Sequence, residues 1–203
     1  MALLPLFPLE VVLLPGTPLP LHIFEPRYKE MIVECRANDA PFGVVRAMDD
    51  DEGFAKIGCT AEIVTVTKEY PDGRMDLVAE GGKRFEVLEL NRERSFLRAE
   101  VLLVPDEPGA AAEMDRERAI QAHLEILTLA GAVQDLAAAE PNALSFYLAG
   151  SLPLDLDFKQ KLLAMRSESG RIQAVASYLE SILPNLRRGS RAREKAGGNG
   201  HAR

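Results

Sequence analysis

The chain has 203 residues, of which 47% are hydrophobic and 27% are charged, and this composition excludes a wholly disordered protein. The formal net charge is −7, and because residues 187–203 are basic, the rest of the chain is more acidic than that figure suggests. An acidic body repels a phosphate backbone, so we do not expect nucleic acid as a partner.

Residues 1–104 are predicted to form a β-rich subdomain. Prolines interrupt the apolar run 3–12, which indicates short, bent strands at a sheet edge. The alternation of apolar residues over 19–23 indicates another strand, and the next apolar positions follow a helical period, with Pro26 suited to the first helical turn. Those helical positions are Tyr28, Met31, Ile32 and Cys35.

The strand pattern returns after this helix. The predicted strands are 42–48, 56–68, 75–79, 85–90 and 96–104. Pro71-Asp72-Gly73 is a hairpin turn signal, and Gly81-Gly82 is predicted as a second turn. Short strands at this spacing indicate a compact antiparallel sheet or a partly closed barrel.

The composition changes at 105–109, and the chain beyond it is rich in Ala and Leu. Residues 110–185 are predicted to be a helical subdomain, with Asp155 as a helix cap and Pro184 as the end of the last helix. Residues 187–203 are predicted to be a basic, disordered tail. The predicted fold class is α+β: an N-terminal β-rich pseudo-barrel with one early helix, followed by a C-terminal α-helical bundle.

The sequence offers little for a cofactor or a metal. Gly81-Gly82-Lys83 is like the end of a phosphate-binding loop, but Leu77 and Arg84 stand where such a loop needs glycine and a hydroxyl residue. The cysteines lack the paired spacing of a zinc site, so we predict no metal and no cofactor, and the Cys35 thiol should be buried, with a raised pKa. No apolar run could span a membrane, and prolines break the apolar start, so we expect a soluble cytoplasmic protein.

The most unusual segment is the corner where an apolar strand leads directly into a helix. Glu25 is well placed for the dipole of that helix, and Arg27 is expected to pair with an acid on a neighbouring strand. The corner could be purely structural, or its apolar groups could line a groove for an extended peptide. The candidate groove residues are Pro18, His22, Phe24, Glu25, Pro26, Arg27 and Tyr28, and no catalytic residue is assigned.

A series of motifs spread over most of the chain carries a family resemblance. They are Leu4-Pro5-Leu6-Phe7-Pro8-Leu9, the block from Pro20 to Tyr28, Phe42-Gly43-Val44-Val45, Ile57-Gly58-Cys59-Thr60-Ala61, Gly82-Lys83-Arg84-Phe85, Leu152-Pro153 and the segment from Lys159 to Leu163. In this order they resemble the N-terminal domain of the ATP-dependent protease Lon. The resemblance implies a pseudo-barrel followed by a helical bundle, and similarity to stand-alone proteins that carry only this domain, because the ATPase and serine–lysine peptidase modules have no counterpart here. In the protease, this domain helps to bind unfolded or tagged substrates.

Three functions remain open at this point. The first, which we favour, is a non-enzymatic module that binds unfolded or extended segments of other proteins and is linked to protein quality control; a homo-oligomer is left open. The second is a small hydrolase with a pocket near His22, for which Glu25 is the only local partner. The third is a regulator whose basic tail binds RNA or an acidic protein.

Overall fold

The protein was analysed as a computed structural model that describes residues 3–48, 53–132 and 143–198, with residues 192–198 described by their backbone alone. The elements are β1 (Leu4–Leu9), β2 (Pro18–Ile23), α1 (Pro26–Ala37), β3 (Phe42–Arg46), β4 (Ile57–Glu69), β5 (Met75–Asn91), β6 (Arg98–Leu103), α2 (Glu113–Ala130), α3 (Leu144–Gly150), α4 (Leu156–Ala164) and α5 (Glu168–Gly198). Strands and one early helix precede the remaining helices, so the predicted α+β fold class is confirmed.

The strands form one mixed sheet in the order β2-β5-β4-β3-β1-β6, and β5 also pairs with β6. This additional pairing closes five strands into a barrel, to which β2 is added alongside β5. The predicted edge position of the 3–12 run is wrong, because β1 lies between β3 and β6. Its prolines are tolerated because β1 divides its pairing: Leu4 and Pro5 pair with β6, and Leu6 to Leu9 pair with β3.

Apolar side chains fill the barrel. Leu6, Val45, Phe85 and Ala99 come from four different strands, are each 0% exposed and form one cluster. The early helix buries the four positions that its sequence period predicted, namely Tyr28, Met31, Ile32 and Cys35. The helical period of the apolar residues in the sequence therefore identified the face of α1 that packs on the sheet.

β5 is one long strand, and the turn predicted at Gly81-Gly82 is wrong. Its first half pairs with β2, its second half pairs with β6, and β4 pairs with both halves. The glycines allow close approach instead of a turn: a Cβ on Gly81 would lie 2.1 Å from the carbonyl oxygen of Leu14, and one on Gly82 would lie 2.7 Å from Thr60 Oγ1. The hairpin turn predicted at Pro71-Asp72-Gly73 joins β4 to β5 and is confirmed.

Residues Ala149–Arg166 group with Met1–Asp106 as one compact unit, whereas the sequence placed them in the helical subdomain. Polar contacts hold α4 to the barrel. The Arg84 guanidinium, which is buried, donates to the main-chain oxygens of Leu163 at 2.9 Å and Met165 at 2.6 Å. These carbonyls end α4 and would otherwise lack intrahelical donors, so Arg84 stabilises the end of that helix.

The second compact unit consists of Glu107–Leu148 and Ser167–Arg203, and its described helices are α2, α3 and α5. A buried polar cluster ties α3 to α5. Glu168 accepts hydrogen bonds from the main-chain N–H of Ser145 at 3.0 Å and from its hydroxyl at 2.6 Å. Arg171 Nη2 donates to the same carboxylate at 2.7 Å, which pairs the buried charge as a low-dielectric interior requires.

α5 continues to Gly198, so the helix end predicted at Pro184 is wrong. Residues 187–198, which were predicted to belong to a disordered tail, are helical, and residues 199–203 lie outside the described residues. A proline inside a helix removes one main-chain hydrogen bond. Beyond Pro184, Arg187 makes a two-point contact with α2, donating from Nε to Glu125 Oε1 at 2.5 Å and from Nη2 to Oε2 at 2.7 Å.

Candidate functional site

The predicted corner joins β2 to α1. Glu25 is the N-cap residue of α1 with extended backbone, and its carbonyl accepts the first main-chain hydrogen bonds of the helix. Its side chain makes no capping hydrogen bond and instead pairs with Arg27, with Nε to Oε2 at 2.9 Å. Arg27 was expected to pair with an acid on a neighbouring strand; that prediction is wrong, because an acid two residues away is within easier reach.

One face of β2 is open to solvent. Pro18, Pro20 and His22 point outward, whereas Leu19, Leu21 and Ile23 on the other face are half-buried or buried. Phe24 follows the strand and is 58% exposed. We call Pro18, Pro20, His22 and Phe24 the β2 face. Pro20 was not among the candidate residues, although the same strand period that placed Pro18 and His22 on one face would have identified it.

His22 is held by a hydrogen-bonding network that the sequence did not reveal. Its Nδ1 lies 2.5 Å from Asp76 Oδ1, and the Tyr70 hydroxyl donates to Asp76 Oδ2 at 2.9 Å. The hydrogen bond from His22, followed by that from Tyr70, lowers the pKa of Asp76. Asp76 is opposite His22 in the β2–β5 register, a pairing between distant segments that no local motif signals.

Aromatic rings surround this network. The His22 ring stacks on Phe24 with centroids 5.9 Å apart, and the Tyr70 ring meets His22 edge-on at 6.0 Å. Lys68 Nζ lies 4.4 Å from the centroid of the Tyr70 ring. The result is an ordered, partly apolar platform with charges at its rim, which suits contact with apolar and planar groups.

Tyr28 does not belong to this platform. It is 7% exposed, and its ring lies 4.0 Å from that of Phe7, centroid to centroid. Burial raises the pKa of its phenol. Its predicted place among the groove residues is therefore wrong: it anchors α1 to β1, while Arg27 covers its ring at 4.6 Å. Pro26 and Arg27 are exposed and lie beside the β2 face at the start of α1.

The His22–Asp76 pair also supplies two members of a serine-protease-like triad. A triad needs in addition a nucleophilic hydroxyl or thiol in contact with the imidazole. The side-chain contacts described for His22 are with Phe24, Tyr70 and Asp76. The arrangement thus orients an imidazole on a surface and assembles the parts of a stacking site.

The cysteine thiols are buried and unreactive. Burial raises the pKa of Cys35 to about 11 and that of Cys59 to about 12, so both thiols are protonated at neutral pH. The burial predicted for Cys35 is confirmed. Within the described ranges, no three His, Cys, Asp or Glu side chains come together as metal ligands would. Over the same ranges, no helix is both long and apolar enough to cross a membrane.

Comparison with known sequences points to the family that the sequence motifs resemble. A family described as the ATP-dependent protease La (LON) substrate-binding domain matches residues 3–181. The Lon protease of Roseiflexus castenholzii is 27% identical over 206 aligned residues, which cover 95% of this chain and 26% of that protein. The protein cereblon of Xenopus tropicalis is 32% identical over 107 residues, which cover 51% of this chain and 24% of that protein. The aligned part of the chain thus spans about a quarter of the length of each of these relatives.

Solved structures show the same fold. The Lon N-terminal domain protein from Xanthomonas campestris superposes with a TM-score of 0.71 and 26% identity, over 88% of this chain and 99% of that chain. The N-terminal domain of the Mycobacterium avium complex Lon protease has a TM-score of 0.67 at 17% identity, a likeness of fold alone. Together with the match over residues 3–181, these findings show that the chain belongs to the family of Lon substrate-binding domains.

Proposed function

We propose that the chain is a non-catalytic module that binds unfolded or extended segments of other proteins at the β2 face, as part of protein quality control. The observation that carries the proposal is Phe24, a large aromatic side chain that is 58% exposed and stacked on an oriented histidine. Exposed aromatic groups in a cluster are typical of interaction sites. Family membership supports a protein as the ligand.

The β2 face favours side-chain contacts over strand addition as the mode of binding. Pro18 and Pro20 have no N–H group, so β2 can offer few donors to an added strand. The stacked rings of His22, Phe24 and Tyr70 can instead accept apolar and aromatic side chains of a flexible segment. Such binding would tolerate many sequences, because it depends on apolar area more than on main-chain register.

The test measures the affinity for a permanently unfolded, fluorescently labelled polypeptide by anisotropy. Phe24→Ser should weaken binding roughly tenfold, since it removes a stacked aromatic anchor. Met114→Ser is the matched control, because Met114 is 69% exposed but lies on α2 in the other compact unit. Equal affinity of the two variants, or no binding by the unchanged protein, would rule out the β2 face as the binding site.

A further inference from the structure

The β2 face continues across the two strands beside it. Residues directly opposite each other on neighbouring antiparallel strands point to the same side of a sheet. The pairings of β2 with β5 and of β5 with β4 therefore give three rows of three side chains on one surface. The rows are Pro18, Glu80 and Glu62; Pro20, Val78 and Thr65; and His22, Asp76 and Lys68. Because β2 and β5 advance by four residues from the first row to the third, these two rows lie about 13 Å apart.

The charges of the third row already have partners. The hydrogen bond from His22 is the main cause of the lowered pKa of Asp76, and the positive charge of Lys68 lowers it further. Lys68 also lies over the Tyr70 ring, with Nζ 4.4 Å from the ring centroid. The rings of Phe24 and Tyr70, and not a free charge of this row, are therefore what this end of the surface offers to a ligand.

The first row carries two acids, Glu62 and Glu80, which we call the acidic pair. Both are exposed and lie directly opposite each other, and within the described chain neither carboxylate has a hydrogen bond or an ion pair. Like charges at directly opposed positions repel each other. The Cβ atoms of such a pair are about 5 Å apart, so one ammonium or guanidinium group can contact both carboxylates and remove the repulsion.

The place of the acidic pair on the surface, and not the opposition of two acids alone, marks it as part of a binding site. Glu89 and Glu100 are also exposed and directly opposite each other, in the pairing of β5 with β6. They belong to the half of β5 that does not pair with β2, beyond the three rows. The acidic pair instead shares one surface with the exposed ring of Phe24, and Pro20 and Val78 lie between the two ends. Apolar side chains therefore connect the rings to the acids.

We propose that the segments bound at the β2 face are both apolar and cationic, with an apolar or aromatic side chain on Phe24 and a lysine or arginine on the acidic pair. This preference rests on the proposed function, because it specifies which unfolded segments the same surface selects. An extended segment advances about 3.3 Å per residue, so its basic residue lies about four positions from its apolar one. Both contacts are made by side chains, which agrees with the lack of main-chain donors at Pro18 and Pro20.

The same charges disfavour acidic segments. An acidic segment on the same rings would bring a further carboxylate to Glu62 and Glu80, and the like charges would repel each other. Because the net charge of the chain is −7, long-range attraction also favours a cationic segment. The surface therefore discriminates by repulsion as well as by attraction, and among unfolded chains it selects basic, apolar segments over acidic ones.

The experiment measures the affinity of the full chain for three labelled peptides by fluorescence anisotropy. Each peptide is a Gly/Ser chain with a central pair of phenylalanines, and the residue four positions away on both sides is lysine, glutamine or glutamate. The unchanged protein should bind the lysine peptide roughly tenfold more tightly than the glutamate peptide, with the glutamine peptide between them. In the double variant Glu62→Gln, Glu80→Gln this preference should fall to roughly two- to threefold, the part that net charge supplies.

The matched control is the double variant Glu89→Gln, Glu100→Gln. It changes the net charge by the same amount and also replaces two exposed, directly opposed acids, but outside the three rows. It should keep the roughly tenfold preference for the lysine peptide. Raised salt should reduce the preference of the unchanged protein, because it screens exposed charges.

Phe24→Ser separates the charge preference from the proposed function, because it should weaken the binding of all three peptides. If it does so while the unchanged protein binds the three peptides equally, the proposed function stands and the charge preference is overturned. A lysine preference of the same size in the two double variants would also overturn it, because the acidic pair would then have no special part. If neither the peptides nor the unfolded polypeptide bind the unchanged protein, the proposed function fails, and the charge preference fails with it.

Discussion

His22 and His123 show how the same kind of side chain serves different purposes when it is exposed and when it is buried. His22 lies on the surface and is oriented by Asp76 at 2.5 Å, in reach of a ligand. His123 on α2 is 0% exposed, and burial lowers its pKa. Only the tertiary structure separates the one on the candidate binding surface from the one in a core.

The buried histidine predicts sensitivity to acid. Because His123 takes up a proton at a lower pH in the folded chain than in the unfolded chain, the unfolded state binds more protons below about pH 6.5. The free energy of unfolding should therefore fall as pH is lowered from 7.5 to about 5.5, by at most about 1.4 kcal/mol per pH unit from this group. Urea unfolding of the unchanged protein and of His123→Leu over this range measures it, and identical pH slopes would contradict the prediction.

At the scale of elements, the sequence predicted the type of structure better than its connections. Helical period identified all four buried positions of α1, and Asp155 caps α4 as predicted, with its carboxylate accepting from Phe158 N–H at 3.0 Å. The helical period and the cap both depend only on residues that are close together in the sequence. The turn at Gly81-Gly82 was wrong because glycine also occurs where two backbones approach closely, and the approaching Leu14 is far away in sequence.

Gly81 therefore gives a sharp test of the sheet. In Gly81→Ala the new methyl group would lie 2.1 Å from the Leu14 carbonyl oxygen, so main chain must move, and we expect a loss of about 2 kcal/mol or more in unfolding free energy. Gly189→Ala is the matched control: apart from its chain neighbours and the backbone of its own helix, no described atom lies within 4 Å of the added methyl group, and in helix α5 alanine should be neutral or stabilising by up to about 1 kcal/mol. Equal thermal stability of the two variants would show that the close approach is not rigid.

At the scale of the whole molecule, the first compact unit is discontinuous in sequence. Residues 149–166 belong with the barrel, although residues 107–148 of the second unit intervene. Composition alone predicted a boundary near residue 105, and it could not predict this return of the chain, because the return depends on Arg84, a buried cation that reaches the carbonyls at the end of α4. The candidate site was likewise predicted only as a segment. Its exposed members were found, but Asp76 and Tyr70 came from the pairing of distant strands.

The discontinuity predicts that residues 1–106 alone are incomplete. Without α4 the buried Arg84 guanidinium keeps its ion pair with Asp106 but loses the oxygens of Leu163 and Met165, and buried donors that lose their acceptors are destabilising. We expect the fragment to unfold at a lower urea concentration than the full chain, and a peptide of residues 149–166 in excess to raise its stability, as a specific ligand does. A scrambled peptide is the control, and a fragment that needs no peptide to match the full chain would contradict the prediction.

Because residues 149–166 belong to the first compact unit, that unit can be completed only late in synthesis on the ribosome. All strands of the barrel emerge before residues 149–166 have been synthesised, and at about 5–20 residues per second the interval lasts several seconds. During it the Arg84 guanidinium of the nascent barrel lacks the two carbonyl acceptors at the end of α4, and the barrel surface that α4 contacts is uncovered. A chaperone that engages nascent chains would meet this intermediate in every round of translation, and codons that slow elongation between residues 107 and 148 would prolong its exposure.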